Sequence, residues 1–92
     1  MVIVVNQAVD LATKRGVQMQ TVYEAADSAG KDSVNILDLK LAFEKLVLMN
    51  DSEHLLMIKF IKEVKNNFKT ANFSKISFMN YLKATQKIKT GL

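Results

Sequence analysis

A segment rich in turn-forming residues, DSAGKDSVNILD (27–38), carries the side chains best suited to binding a cation. Asp27, Asn35 and Asp38 offer carboxylate or amide oxygens, which are the ligands that calcium and magnesium prefer. Lys31 lies between them in the sequence, and its ammonium group would repel a cation bound by its neighbours. The segment is at most a weak residual cation site, and we predict no physiological calcium binding.

Catalytic chemistry has little support in the sequence. His54 is the only histidine, and no serine or pair of carboxylates accompanies it at a spacing typical of a catalytic site. Cysteine is absent, which excludes a thiolate nucleophile, a zinc–thiolate site and a disulfide framework. No glycine-rich phosphate loop is present. We therefore predict that the protein is not an enzyme and binds no cofactor.

The composition is that of one small globular domain. The chain has 92 residues, of which 49% are hydrophobic, and it contains no proline and only three glycines. Helices can therefore run with few forced breaks. The apolar start of the chain ends at Val5 and is too short for a signal peptide or a membrane span. Because the absence of cysteine fits a reducing compartment, we expect a cytoplasmic protein with no membrane partner.

The net charge of +4 is unevenly distributed along the chain. Residues 1–51 carry five basic and seven acidic side chains, a net charge of −2. Residues 52–92 carry eight lysines against two glutamates, a net charge of +6. This asymmetry favours an acidic partner for the second half of the chain.

Apolar residues recur at helical spacing in five segments. We predict helices over residues 4–14, 17–26, 36–49, 53–68 and 78–89. The first segment either adds a helix or extends the next one, which gives an all-α domain of four to five helices. Among the residues before each helix, Asn35 can cap the third, Asp51 or Ser52 the fourth, and Ser77 the fifth.

The order helix, loop, helix occurs twice in the chain. Each loop ends in a β-branched residue, Val34 or Ile76, and a capping residue follows at once, Asn35 or Ser77. This arrangement resembles the EF-hand superfamily, in which two helix–loop–helix units form one lobe of calmodulin, of a myosin light chain or of a centrin. The resemblance implies two such units packed together, with a contact between Val34 and Ile76 where the loops meet.

The departures from the family pattern imply a degenerate pair that does not bind calcium. In the family, a twelve-residue loop provides oxygen ligands at alternating positions. The first loop, 27–38, has Ala29 in the third position and Lys31 in the fifth. The second loop, counted with its aliphatic residue as the eighth, presents Lys69 and Phe73 where acids belong. Neither loop offers a cluster of anionic oxygens.

The resemblance implies a module that binds other proteins. Residues 17–92 would form the EF-hand-pair domain and residues 1–16 an N-terminal helical extension. Since a lobe of this kind can hold an amphipathic helix in an apolar groove, we expect calcium-independent capture of such a helix from a larger, acidic partner. The groove would be lined by Met19, Phe43, Met49, Met57, Phe60, Phe78 and Met79, while Lys59 and Lys62 would pair with acids on the partner.

Two alternatives assign other roles to the same segments. The stretch GKDSVNILDL (30–39) resembles the acyl carrier protein motif, which implies phosphopantetheine attachment at Ser33. The strongly basic second half differs from the acidic faces of that family. The other alternative is nonspecific nucleic-acid binding, which would use the lysines at 59, 62, 65, 69 and 75. A single arginine and no tryptophan give base recognition little support.

Overall fold

Five helices and two short strands make up the part of the chain that the computed structural model describes, residues 2–69 and 72–90. In chain order they are α1 (Val2–Lys14), α2 (Met19–Ala26), β1 (Val34–Asn35), α3 (Ile36–Leu46), α4 (Asp51–Asn67), β2 (Asn72–Phe73) and α5 (Lys75–Thr90). The prediction of an all-α domain with four to five helices is confirmed. The end of the predicted domain, residues 91 and 92, lies outside the described residues.

The chain forms two helix–loop–helix units that meet through their loops. The first unit is α2, β1 and α3, and the second is α4, β2 and α5. β1 pairs with β2 in an antiparallel register that places Val34 opposite Phe73. The predicted partner of Val34 was Ile76, and this prediction is wrong. Ile76 lies in the first turn of α5 with 69% of its surface exposed.

The register of the second unit follows from the residue that caps α5. Ser74 Oγ accepts a hydrogen bond from the backbone N–H of Ser77 at 3.2 Å, so Ser74, and not Ser77, is the capping residue. The residue that precedes the cap is then Phe73, which is buried. The cap and the strand residue both lie three positions earlier than the sequence pattern predicted.

The start of α4 also differs from the prediction by one or two residues. Asn50 caps this helix, in place of Asp51 or Ser52. Its side chain accepts a hydrogen bond from the backbone N–H of Glu53 at 2.9 Å, and the Glu53 carboxylate accepts one from the backbone N–H of Asn50 at 3.0 Å. This reciprocal capping box satisfies two donors at the helix start, which explains why α4 begins where it does.

α1 belongs to the same hydrophobic core as the two units. Its buried apolar residues are Val5, Ala8, Leu11 and Ala12, and the polar Asn6 is buried as well. In the part of the chain that the structure describes, α1 packs against both α4 and α5, which make few direct contacts with each other, whereas α2 packs directly on α3. The predicted boundary at residue 16 stays a prediction.

The link between the two units is anchored in the core. It runs from Val47 to Asn50, and Val47 is completely buried. α3 and α4 also pack against each other. None of the described helices is both long enough and apolar enough to cross a membrane.

Candidate protein-binding surface

Most of the residues predicted to line a groove are buried in the core. Met19, Phe43, Met57, Phe60 and Phe78 are all buried, and the rings of Phe43 and Phe60 lie 6.0 Å apart between their centroids. Met49 and Met79 are half-buried and pack against the same core. In this arrangement the five buried side chains fill the space between helices and line no open groove.

The exposed large apolar side chains include several leucines that the sequence pattern did not single out. Leu37 and Leu41 lie one helical turn apart on α3, with 58% and 54% of their surface exposed. Leu48, just after the helix, is 82% exposed. The segment ILDLKLAF carries apolar residues on more than one face of α3, with Leu39 and Phe43 in the core. That excess of apolar residues was the available signal for a second, outward face.

A shallow recess of about 300 Å³ lies between α2 and α3. Leu41 lines it, and Leu37 lies one helical turn before Leu41. Alanines form much of its surface, and because their side chains are short, the two helices leave space between them. Its apolar lining consists of Ala25, Ala26, Leu41, Ala42 and Leu46. We call it the α2/α3 recess.

Two opposite charges flank the α2/α3 recess. Asp38 lies in the first turn of α3 and Lys45 in its last turn, where each is favoured by the helix dipole. The two residues are two helical turns, or about 10 Å, apart. Both side chains are exposed, and neither forms an ion pair with another residue of the described part of the chain. Their charges are therefore available to a molecule that enters the recess.

A second recess, of about 370 Å³, lies between α1 and α4 and is more polar. Gln7, Asp10, Lys14 and Glu53 contribute to it together with two leucines. The Arg15 guanidinium donates to both carboxylate oxygens of Glu53, at 2.9 and 2.8 Å. The pKa of Glu53 lies below its usual value, chiefly because the carboxylate accepts a hydrogen bond from the Asn50 backbone N–H and also because Arg15 lies beside it.

The lysines predicted to contact a partner lie apart from the α2/α3 recess. Lys59 and Lys62 are exposed on α4, and no ion pair joins either of them to another described residue. Lys75, in contrast, lies 3.2 Å from the Glu24 carboxylate and joins α5 to α2. The basic surface on α4 remains open to an acidic partner.

The oxygens of the first loop mostly bind backbone N–H groups. The Asp27 carboxylate accepts from the backbone N–H groups of Lys31 and Asp32 at 3.0 and 2.8 Å. Asn35 Oδ1 accepts from the backbone N–H of Asp38 at 2.8 Å, as predicted for the cap of α3. In the described residues, no three histidine, aspartate or glutamate side chains are grouped so that they could hold a metal ion.

Ser33 and His54 occupy positions with little support for a chemical role. Ser33 is exposed, but it precedes β1, and α3 is capped by Asn35, so the serine does not begin the helix. His54 Nε2 lies 2.8 Å from Glu44 Oε2, a contact that joins α3 to α4. The carrier-protein alternative and the prediction that the protein is not an enzyme both stay predictions.

Polar contacts around Tyr23 join the two loops; we call Tyr23, Asp32, Phe73 and Lys75 the inter-loop cluster. Asp32 has a positive φ of 54°. Its Oδ1 accepts from the backbone N–H of Lys75 at 2.9 Å and lies 3.2 Å from the Tyr23 hydroxyl. The same hydroxyl lies 3.0 Å from the backbone carbonyl of Phe73. The first unit is thus tied to the start of α5 by side-chain contacts as well as by the two-residue sheet.

We expect the protein to lose stability in alkaline solution as its tyrosines ionise. Burial, followed by the Asp32 carboxylate, raises the pKa of Tyr23 far above its usual value, and burial also raises the pKa of Tyr81. A group whose folded pKa is raised contributes its full stability below the unfolded pKa, about 10, and loses it as the pH rises further. Each tyrosine would lower the free energy of unfolding by up to about 1.4 kcal/mol per pH unit. Urea unfolding at a series of alkaline pH values measures this slope.

The variant Tyr23→Phe provides the control for that measurement. It removes one of the two tyrosines whose pKa is raised. The free energy of unfolding should then fall less steeply with pH above about 10. A stability that does not change through this range would contradict the burial of the Tyr23 hydroxyl.

Comparisons with protein-family models, with curated proteins and with solved structures find no match to this chain.

Proposed function

We propose that this domain captures an amphipathic helix of a larger protein, without calcium, through the α2/α3 recess. The observation that carries the proposal is the pair of exposed leucines, Leu37 and Leu41, beside a recess lined by alanines. Large apolar side chains grouped next to a concave surface are characteristic of protein interaction sites. An amphipathic helix can bind in such a groove, because its apolar residues lie together on one face.

The charges at the recess define the chemistry of the partner. A helix lying along α3 would place a basic residue near Asp38 and an acidic residue near Lys45. Since these two positions are about 10 Å apart, the two partner residues would lie about seven positions apart on the same face. The exposed Lys59 and Lys62 on α4 would attract acids outside the bound helix and would mainly increase the association rate.

The hydrogen bonds that the side-chain oxygens of the first loop accept support calcium independence. Asp27 and Asn35 accept hydrogen bonds from backbone N–H groups, and Asp32 accepts one from the start of α5. These bonds keep the loop in one conformation without an ion.

We also propose a cytoplasmic location. The absence of cysteine supports a reducing compartment.

A designed peptide tests this function directly. The probe is a fluorescent amphipathic helix of roughly 18 residues, or five turns, with leucines on one face and with an arginine and a glutamate seven positions apart at its edge. We expect binding by fluorescence anisotropy, equally strong with calcium and with a chelator. In the full chain, Leu41→Asp should weaken binding by more than about tenfold, because it places a charge in the apolar contact.

The matched control is Leu55→Asp, which changes a leucine of similar exposure, 62%, on α4. This variant should leave the affinity almost unchanged. A peptide with the arginine and glutamate exchanged should bind more weakly than the original. Equal losses from Leu41→Asp and Leu55→Asp, or a requirement for calcium, would refute the assignment of the α2/α3 recess.

A further inference from the structure

α1 packs against both helices of the second unit, α4 and α5. Among the described residues, these two helices make few direct contacts with each other. In the first unit the corresponding helices, α2 and α3, pack directly together. The two units of the repeat therefore differ. In the described residues the helices of the first unit pack on each other, whereas those of the second unit both pack on α1.

α1 has the pattern of a bound amphipathic helix. Its buried apolar residues recur at intervals of three or four and lie in the same core cluster as Met57, Phe60 and Phe78. They are Val5, Ala8, Leu11 and Ala12. Its opposite face carries exposed polar residues, among them Gln7, Asp10 and Lys14. The methionine and phenylalanine side chains predicted to receive a partner helix thus share a core with a helix of this chain.

The connection of α1 to the two units is short and local. Residues 15–18 join it to α2, and Gly16 has a φ of 74°, with nothing within 4 Å of the position a Cβ would take. In addition to the packing of α1 on α4 and α5, the Arg15–Glu53 ion pair joins this end of α1 to the start of α4. The polar recess between α1 and α4, about 370 Å³, leaves the contact incomplete along one side.

We propose that the space between α4 and α5 is a second helix-binding site, which α1 fills in cis and an amphipathic helix of the same pattern can fill in trans. This inference rests on the proposed function only for the class of ligand and concerns a different surface. The ligand helix needs the pattern of α1, with polar residues on its opposite face. In α1 the apolar positions of this pattern are Val5, Ala8, Leu11 and Ala12.

Tethering determines how strong a competitor must be. A helix joined by a short link has an effective concentration on the order of millimolar at its own site. A free helix of equal intrinsic affinity therefore competes poorly with α1, and the unmodified chain should bind it weakly. A variant that cannot dock α1 should bind the same free helix well.

The test uses the full chain with Ala8→Glu and a labelled synthetic peptide of residues 2–15 as the probe. Ala8 is completely buried, so a glutamate there should release α1. We expect the variant to keep the circular dichroism of its remaining helices and to bind the peptide at least about tenfold more tightly than the unmodified chain does. The control variant Thr13→Glu, at an exposed position of α1 outside the polar recess, should behave like the unmodified chain.

Two further measurements separate this site from the α2/α3 recess. A peptide that itself carries Ala8→Glu should not bind, and adding Leu41→Asp to the Ala8→Glu chain should leave binding of the natural peptide unchanged. Three results would overturn the inference. They are loss of helical signal from the whole Ala8→Glu chain that the peptide does not restore, a folded variant that fails to bind the peptide, and equal binding by the variant and the unmodified chain.

Discussion

Replacing Phe43 by alanine lowers the free energy of unfolding by about 3–5 kcal/mol. The side chain is fully buried and its ring contacts that of Phe60, so the truncation leaves a cavity in the centre of the core. A loss of this size is a large part of the total stability of a small domain, about 5–15 kcal/mol. Urea denaturation followed by circular dichroism measures the change.

Leu41→Ala is the control on the same helix, two residues away. Because Leu41 is more than half exposed, its truncation should cost less than about 1 kcal/mol. The two variants should also separate stability from binding, since only Leu41 lies at the proposed partner surface. A small effect of Phe43→Ala on stability would contradict its place in the core.

Phe73→Ala should destabilise the protein by about 3 kcal/mol or more, whereas Ile76→Ala should cost less than about 1 kcal/mol. Phe73 lies opposite Val34 in the sheet, and its ring centroid is 4.8 Å from that of Phe68 and 5.8 Å from that of Phe78. Ile76 is mostly exposed. Chemical denaturation of both variants under the same conditions compares the two positions.

A larger loss of stability from Ile76→Ala than from Phe73→Ala would support the register predicted from the sequence, in which Ile76 faces Val34. Equal and small effects would indicate that the two-residue sheet contributes little to joining the units. The double variant Val34→Ala/Phe73→Ala tests the pairing itself. Because the two residues touch, its loss of stability should differ from the sum of the losses in the two single variants.

The sequence was sufficient for the helices because their apolar residues recur with a clear period. Leu39 and Phe43 on α3, and Phe60 and Val64 on α4, are all buried as the spacing predicts. The cap at Asn35 was also predictable, since this residue immediately precedes the apolar period of α3. Period and capping are local properties, and local properties can be deduced from sequence.

The register of the second loop could not be deduced in the same way. The segment NFSKIS contains two serines three residues apart, and each follows an apolar residue. Ser77 and Ile76 match the capping pattern as well as Ser74 and Phe73 do. The choice is made by tertiary contacts of Phe73 with Tyr23 and Phe68, which lie far away in sequence or across the loop.

The candidate surface was missed because apolar side chains do not indicate where their neighbours lie. The methionines and phenylalanines predicted to form a groove are the largest apolar side chains available, and a small domain needs them for its core. What remains outside is decided by helix packing. Leu37 and Leu41 stay more than half exposed on α3, a property that only the arrangement of helices reveals.

The burial of Val47 has a consequence for how the two proposed sites communicate. Val47 fixes the connection between α3 and α4, so a displacement of one helix is passed on to the other. A ligand on α3 that changes this geometry would alter the affinity at α4, and thermodynamic linkage requires the reverse effect to have the same magnitude. We therefore expect a helix bound at one proposed site to change the affinity of the other, and titration of one peptide in the presence of the second measures this coupling.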